Sequence, residues 1–290
     1  LKQSLLFYSS PAPFWKGKWR RVVTIHDLIG MIFPQHLSFS ARFYWGKLLP
    51  FVNRSGERVV VDSNCTNQDV IKYLHIDPSK IRVVYLAAAD HFTNHRDNGQ
   101  IDQVCKKFRI QRPYLLFVGN VEPRKNLLRG IRAFSKVRKT QKLEHVLVIV
   151  GFKAWEYHTV ARLIQELNLS HAIHCLNYVD DEDLISLYNG GELLVFPSLY
   201  EGFGIPILEA MKCGMPVLTS NLSSMPEVAG DAAYYVNPYH EEEIEDALKT
   251  ILCNQQLRND LRSKGLIQAT KFNWKRTAEE TLAVYQELLN

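Results

Sequence analysis

The segment Leu193-Leu-Val-Phe-Pro-Ser-Leu-Tyr-Glu-Gly-Phe-Gly-Ile-Pro-Ile-Leu-Glu-Ala-Met211 combines the signals of a strand, a turn and a helix. Its apolar beginning, which ends at Pro197, predicts a buried strand, and Pro206 is typical of the first turn of a helix. Open parallel sheets bind ligands at the carboxyl ends of their strands, where the intervening turn would lie. The segment therefore predicts a parallel sheet with a binding site at one edge.

The turn itself has the composition of an anion-binding site. Gly202 and Gly204 permit a close approach of the backbone to a ligand. Free N–H groups at the helix start would point outward, toward a phosphate or a sugar hydroxyl. These groups belong to Phe203, Gly204 and Ile205.

Two glutamates flank this turn. Glu201 precedes the helix, and Glu209 lies near its start with a Cα–Cβ bond that leans back toward the turn. A carboxylate accepts hydrogen bonds from vicinal sugar hydroxyls but repels phosphate, so each glutamate is predicted to lie beside a sugar ring. The structural alternative is that Glu209 caps the helix and that Glu201 is exposed.

A second strand-to-helix transition, Phe117-Val-Gly-Asn-Val-Glu-Pro-Arg-Lys-Asn126, supplies positive charge. Arg124 and Lys125 are adjacent at the predicted helix start, and Asn126 is predicted to cap that helix. Two cations at the carboxyl end of a strand would neutralise a diphosphate of charge about −2. Paired basic residues on a loop are usually solvated, so this prediction depends on their combination with the two glutamates.

Apolar, β-branched runs alternate with amphipathic segments along the chain, which is typical of βαβ units and parallel sheets. The predicted strands are Leu5–Tyr8, Val22–Ile25, Val59–Asp62, Ile81–Tyr85, Tyr114–Val118, Val146–Val150, Ile173–Leu176, Leu193–Phe196, Val217–Thr219 and Ala233–Val236. The predicted helices are Ser38–Val52, Thr66–Leu74, Lys125–Thr140, Trp155–Leu167, Asp181–Gly190, Pro206–Cys213, Ser224–Val228, Glu241–Asn254 and Phe272–Leu289.

The polar stretch Asn94–Gln103 separates two such series. The second series has six strands in the order of a complete doubly wound unit, whereas the first has about four. We therefore predict two Rossmann-like domains: an incomplete N-terminal one over residues 1–108, on which residues 272–290 pack back, and a C-terminal one over residues 109–271.

Composition limits the class of protein. A hydrophobic content of 46% with 22% charged residues is that of an ordinary globular chain, and no apolar run reaches the roughly 18 residues of a membrane span. The first residues lack a secretory pattern, and the five cysteines include no CxxC pair. These features predict a cytoplasmic protein with neither a disulfide framework nor a zinc site.

Positive charge is concentrated before residue 60. This stretch contains nine basic side chains and only two acidic ones, Asp27 and Glu57. This region is either an ordinary solvated surface or a face for an anionic membrane or a phosphorylated substrate. The predicted helix Ser38–Val52 is rich in aromatic residues and is either an interfacial membrane helix or a core helix. Nucleic acid is not an expected partner, because no binding motif accompanies the charge.

The Glu-x7-Glu segment, the Arg124–Lys125 pair and the tail around Trp274 resemble the retaining glycosyltransferases of family 4, also called group 1, which have the GT-B fold. The resemblance runs from about Leu5 to the C-terminus and is most specific between Glu201 and Glu209. It implies a nucleoside diphosphate sugar as donor, held mainly by the C-terminal domain.

The resemblance also assigns roles to single residues. It implies that Arg124 and Lys125 hold the diphosphate, with Gly119 in the same loop, and that Glu209 binds the ribose. Glu201, with the amides of the turn, would hold the transferred sugar. The base is expected beside backbone groups of the pair Tyr178 and Val179.

Thr-Ile-His-Asp-Leu, which contains His26 and Asp27, is similar to the N-terminal catalytic segment of that family. A histidine after a strand is by itself more often structural; the resemblance implies that His26 contacts the donor sugar. Asp27 would orient His26 or bind the acceptor.

The implied reaction transfers a hexose, such as mannose, to a glycan or lipid-linked acceptor in polysaccharide synthesis, at the cytoplasmic side of a membrane or in the cytoplasm. The leaving diphosphate would take the proton of the acceptor, so neither a cofactor nor a metal is expected, and no DxD motif follows a strand.

The chain departs from that family at its beginning. The expected glycine-rich loop and the βα units that follow it, about 80 residues in the family pattern, are not found, and the chain starts at Leu1. We expect a fragment, a naturally truncated protein or one completed by a partner chain, and the activity of this chain is left open. The alternative function is a catalytically inactive nucleotide-sugar-binding fragment or a subunit of a split transferase. A dehydrogenase is not favoured, because no GxGxxG follows a strand.

Overall fold

The predicted strands form two parallel sheets in a computed structural model, which describes residues 5–8, 20–36, 42, 43, 45, 46, 57–95, 97–151 and 157–289. The chain divides into two compact units. The first unit comprises Leu1–Ala87, Glu201–Phe203 and Phe272–Asn290, and the second unit comprises Ala88–Tyr200 and Gly204–Lys271.

The sheet of the first unit contains four parallel strands within the described ranges, in the order β1-β2-β3-β4. Its strands are β1 (Leu5–Tyr8), β2 (Arg20–Ile25), β3 (Arg58–Val61) and β4 (Ile81–Val83). Around it lie α1 (Ile29–Ile32), α2 (Asn64–Leu74) and α11 (Trp274–Leu289), among the residues of this unit that the structure describes.

Side chains of β2 and β3 alternate between two apolar layers, as the period of a strand requires. Val23, Ile25, Val59 and Val61 pack with α2 on one face of the sheet. Val22 and Val60 pack on the other face with Val284 and Leu288 of α11. Helix α11 therefore covers one face of this sheet, and Glu287 adds ion pairs to Arg58 and Arg82.

The second unit contains six strands among its described residues, and their order matches the predicted doubly wound pattern. They are β5 (Tyr114–Val118), β6 (Val146–Val150), β7 (Ile173–Leu176), β8 (Leu193–Phe196), β9 (Val217–Ser220) and β10 (Tyr234–Val236). All pair in parallel in the order β10-β9-β8-β5-β6-β7. The strand order reverses between β5 and β8, so the predicted α/β fold class is confirmed.

Helices cover both faces of this second sheet through crossover connections. They are α3 (Asn98–Phe108), α4 (Leu127–Thr140), α5 (Tyr157–Glu166), α6 (Asp181–Gly190), α7 (Ile205–Lys212), α8 (Met225–Ala229), α9 (Glu241–Leu252) and α10 (Gln255–Ala269). Strands β5, β6 and β8 are buried along their whole length, which explains why they appear in the sequence as continuous apolar runs.

This region differs from the sequence predictions in two features. The polar stretch Asn94–Gln103, which separates the two predicted series, contains the start of α3; α3 packs on α6, and the second unit starts at Ala88, whereas residue 109 was predicted. Helix α10 was not predicted at all. The predicted helix Ser38–Val52 lies outside the described residues, apart from a few positions, and so does the predicted start of the helix at Trp155.

Candidate active site

The reversal of strand order places the candidate site of the second unit. In open parallel sheets a crevice forms at the carboxyl edge where neighbouring connections leave in opposite directions. Here the loop after β5 and the loop after β8 meet at that edge. A hydrogen bond joins them directly, because the N–H of Leu199 donates to the carbonyl oxygen of Arg124 over 2.7 Å.

Lys125 lies buried in the β5 loop, at this edge of the sheet. Its Nζ is 4.6 Å from the centroid of the Phe196 ring, a cation–π contact. Gly119 has a φ of 142°, and a Cβ at that position would lie 3.0 Å from Cε and 3.3 Å from Nζ of Lys125. The structure thus brings these two predicted site residues together. The positive φ favours glycine, and a Cβ at this position would displace the end of the Lys125 side chain.

Arg124 is held beside Lys125 by two acceptors. Its Nε donates to Oε2 of Glu122 over 2.9 Å, and its Nη1 donates to the carbonyl oxygen of Tyr200 over 3.3 Å. The side chain therefore joins the β5 loop to the β8 loop and is only partly exposed. A diphosphate bound here would meet a guanidinium that is already oriented.

Asn126 has a different role from the predicted cap. It has a φ of 60° and makes no side-chain cap bond to α4. Its Nδ2 donates to the carbonyl oxygens of Pro197, over 3.1 Å, and Pro238, over 2.7 Å. The side-chain amide is thus used to hold neighbouring loops together, and the pattern of an Asn before a helix gives no sign of this.

Glu209 projects from α7, whose start at Gly204 has a φ of 108°. Its Oε2 accepts a hydrogen bond from the hydroxyl of Tyr188, at 2.9 Å, and α7 has no side-chain cap, so the capping alternative is not what the structure shows. Burial raises the pKa of Glu209, against the hydrogen bond from Tyr188; Asp181 raises it further, while His91 and Lys125 lower it. Tyr188 is buried, and its role was not predicted.

Tyr178 and Val179 follow β7 at the same edge of this sheet, but β6 separates β7 from β5. Tyr178 is exposed and Val179 is buried. The predicted contact with the base stays a prediction.

Of the other predicted residues, Ile205 begins α7 in the second unit, and His26, Asp27, Glu201 and Phe203 belong to the first unit. Glu201 is buried, which contradicts the alternative of an exposed side chain. Gly202 lies so close to His26 that a Cβ there would be 2.2 Å from its carbonyl oxygen and 2.9 Å from Cβ of Asp27. Phe203 is buried between the rings of Tyr85 and Phe272, so its side chain belongs to the core.

His26 is oriented by Asp62 and not by Asp27. Nδ1 of His26 is 2.7 Å from Oδ2 of Asp62, whereas Oδ1 of Asp27 accepts the N–H of Ile29 at the start of α1. The hydrogen bond to Asp62 raises the pKa of His26, against the effect of burial. The expectation that Asp27 orients His26 is therefore wrong, because that carboxylate is engaged by the backbone.

The sequence did contain a signal for Asp62. β2 and β3 pair in parallel with Ile25 opposite Val61, so the next residues on each strand, His26 and Asp62, come level at the carboxyl edge. Finding this pair requires the register of the sheet, which the apolar pattern alone does not give.

The described residues add few features of other kinds. None of their helices is long and apolar enough to cross a bilayer, and none of their His, Cys, Asp and Glu side chains group in threes as a metal site would.

Among the basic residues before position 60, Arg20 pairs with Glu57 and Arg58 with Glu287. Those outside the described ranges are Lys2, Lys16, Lys18, Lys47 and Arg54.

Comparison with known proteins identifies the family. The sequence model of the glycosyl transferases group 1 matches residues 101–267. The O-antigen chain mannosyltransferase B of Escherichia coli is 30% identical over 270 residues, which cover 93% of this chain and 71% of that protein. The serotype-specific mannosyltransferase WbdA of Escherichia coli is 30% identical over 292 residues, which cover 97% of this chain but only 35% of that protein.

A solved structure agrees at the level of the fold. The glycosyltransferase from Rickettsia africae ESF-5 superposes with a TM-score of 0.81 at 20% sequence identity, covering 99% of this chain and 77% of that one. With the family model matching more than half of the chain, this chain belongs to the group 1 glycosyl transferases, a family of GT-B fold, and is an enzyme of the glycosyltransferase class.

Proposed function

We propose that the chain is a retaining mannosyltransferase that moves mannose from a nucleoside diphosphate sugar to a glycan or lipid-linked acceptor in polysaccharide synthesis. The observation that carries the proposal is the grouping of Arg124, Lys125 and Glu209 at the strand-order reversal of the second unit. The names of the O-antigen and serotype-specific mannosyltransferases support mannose as the sugar.

Positive charge at the β5 loop suits the leaving group. A buried ammonium stabilises negative charge better than a solvated one, because the surroundings screen it less. Lys125 would therefore act where charge grows on the diphosphate as the glycosidic bond breaks. Arg124, already fixed by Glu122 and the carbonyl of Tyr200, would hold the same group with its planar fork.

Glu209 suits the ribose. Its carboxylate is fixed by the hydroxyl of Tyr188 and lies within the electrostatic influence of Lys125. An ionised carboxylate in a defined orientation accepts two hydrogen bonds from neighbouring hydroxyls. Tyr188 would thus orient the carboxylate of Glu209, and that carboxylate would contact the ribose.

Retention of configuration follows if the acceptor attacks from the face that the leaving group occupies. The diphosphate would then take the acceptor proton, and the protein would contribute positioning and charge. His26 and Glu201 are proposed to contact the transferred sugar, as the family resemblance implies. No metal or other cofactor enters this proposal. We place the reaction in the cytoplasm, with peripheral contact to the inner face of a membrane as an option for a lipid-linked acceptor, and expect no nucleic-acid partner.

The test is a panel of donors given to the purified chain. Thermal shifts with GDP-, UDP- and ADP-sugars identify the donor. Proton NMR of the product that forms on a mannose acceptor reports the anomeric configuration of the new glycosidic bond. The expected result is binding of a mannosyl donor and a product of unchanged configuration. An inverted product contradicts retention, and binding without transfer or hydrolysis supports the alternative of an inactive binding fragment or split subunit.

A further inference from the structure

We propose that Asp62, Ser63 and Thr66 form a positioning element that fixes both His26 and the segment Glu201–Phe203. This inference rests on the proposed function, in which His26 and Glu201 contact the transferred sugar. All of these residues belong to the first unit.

Asp62 is well placed to orient the imidazole. Its side chain is 4% exposed, while that of His26 is 55% exposed, so the carboxylate forms the fixed side of the pair. An ionised Asp62 accepts Nδ1–H of His26 over 2.7 Å, which selects one tautomer and leaves Nε2 as the ring atom that can meet a ligand. Asp27 also raises the pKa of His26, more weakly than Asp62 does.

Ser63, the next residue in the sequence, forms hydrogen bonds with two backbone groups. Its Oγ accepts the N–H of Thr66 and so caps α2, and its hydroxyl donates to the carbonyl oxygen of Gly202 over 2.7 Å. The hydroxyl of Thr66 lies 3.2 Å from the same carbonyl oxygen and 3.4 Å from that of His26. Ser63 and Thr66 are both fully buried.

One short stretch therefore determines two geometries. Asp62 fixes the ring of His26, and two residues of the next helical turn fix the backbone of Gly202, next to Glu201. The absence of a side chain at Gly202 is needed as well, because a Cβ would overlap the carbonyl oxygen of His26. A shift of the start of α2 would move both sets of groups, and displacements near 1 Å are costly in catalysis.

The first test follows the ring nitrogens of His26 by NMR on the full chain labelled with 15N-histidine, with the His26→Gln variant for assignment. In the native protein we expect neutral His26 to carry its proton on Nδ1. In Asp62→Asn we expect a lower pKa for His26 and a change of tautomer, since the amide can donate to Nδ1. A native ring protonated on Nε2, or an Asp62→Asn ring with unchanged pKa and tautomer, would overturn the proposal.

The second test uses Ser63→Ala with Asn254→Ala as the matched control. Both variants lose a side-chain cap, of α2 and of α10 respectively, and we expect similar losses of thermal stability. Only Ser63→Ala also loses the contact to Gly202, so only it should lower kcat, by roughly 10- to 100-fold. Equal turnover in the two variants contradicts the role of Ser63.

The role of Asp62, Ser63 and Thr66 can be tested even if the proposed function is wrong. If no donor is turned over, the tautomer of His26 still decides the role of Asp62. In that case the 13C shift of the Gly202 carbonyl decides the role of Ser63 and Thr66: it should change in Ser63→Ala and, to a smaller extent, in the isosteric Thr66→Val. An unchanged shift in both variants overturns that part of the proposal.

Discussion

Lys125 is the side chain with the clearest expected effect at the scale of single residues. Its ammonium is buried beside Phe196 and would face the leaving diphosphate, whose charge increases in the transition state. Lys125→Ala should therefore lower kcat by roughly 10²- to 10³-fold while donor affinity changes less. Steady-state kinetics together with calorimetric binding of the donor separates the two effects. Lys139→Ala, an exposed lysine at the end of α4, is the control, and equal kinetics in both variants contradict the role.

Gly119 offers a test of the space that the lysine occupies. An alanine there has a strained φ and a Cβ within 3.0 Å of Lys125 Cε, so Gly119→Ala should cost about 1–3 kcal/mol and weaken donor binding. Gly130→Ala is the matched control, because Gly130 lies in α4 and its new Cβ would only come within 3.9 Å of Pro197. That change should stabilise by about 0.5–1 kcal/mol. Urea unfolding measures both, and equal signs would contradict the steric explanation.

Because of Glu209, the stability of the folded protein and its affinity for a nucleoside diphosphate should depend on pH in opposite directions. Because burial raises its pKa in the folded state, the folded protein binds that proton more tightly than the unfolded chain, and lowering the pH through the raised pKa adds stability. Contact with the ribose needs the ionised carboxylate, so affinity for a nucleoside diphosphate should fall over the same range.

Glu209→Gln should remove both effects, as seen in urea midpoints and calorimetry over a pH series. Glu243→Gln is a control of opposite sign, since the backbone N–H of Asn237 lowers the pKa of Glu243 and its contribution to stability is lost as the pH falls. A Glu209→Gln protein with the native pH dependence would contradict the assignment.

Site residues differed in how far the sequence could reveal them. Arg124 and Lys125 lie shortly after β5, and Glu209 lies in the helix that follows β8, so their placement at one edge of that sheet could be predicted from local pattern. Asp62 and Tyr188 could not be assigned in this way, because their partners are set by strand register and by a hydrogen bond between α6 and α7, which involve distant parts of the chain.

Helix α11 allows a sharp comparison at the scale of elements. Leu288 is 6% exposed and packs on the sheet of the first unit, while Leu282 on the same helix is 54% exposed. Leu288→Ala should lower the free energy of unfolding of this unit by about 2 kcal/mol, and Leu282→Ala should change it by less than about 0.5 kcal/mol. Urea titration followed by circular dichroism measures both. Similar losses would mean that α11 is not held by this apolar face.

A strand or helix could be predicted when its buried positions were occupied by a recognisable pattern of apolar residues. β5, β6 and β8 were predicted with their observed bounds, since a strand buried on both faces is a continuous apolar run. The bounds of β7 were predicted as well, although that strand is only partly buried and contains His174. α10 was missed because its buried positions include Gly265, Gln268 and Ala269, which carry little hydrophobic signal. α3 was not predicted for a similar reason, as its buried stripe is short and surrounded by polar residues.

At the scale of the whole molecule, the order of strands converts separate sequence motifs into a site. The motifs after β5 and β8 are almost 80 positions apart in the sequence, and only the return of the chain to the other side of β5 makes those strands neighbours. The alternating pattern predicted this order, because a doubly wound sheet is the common solution for such a series.

Hydrogen–deuterium exchange over the whole chain tests this placement. A nucleoside diphosphate without a sugar carries the groups assigned to Arg124, Lys125 and Glu209, and should therefore slow exchange in the loop 119–126 and at the start of α7. Residues 58–83 of the first unit, which carry none of these groups, should exchange at an unchanged rate. Lys125→Ala should lose the protection at the same ligand concentration, because the diphosphate contact is weakened. Protection centred on 58–83 instead, or persisting unchanged in Lys125→Ala, would place the diphosphate elsewhere and contradict the site proposed at the reversal of strand order.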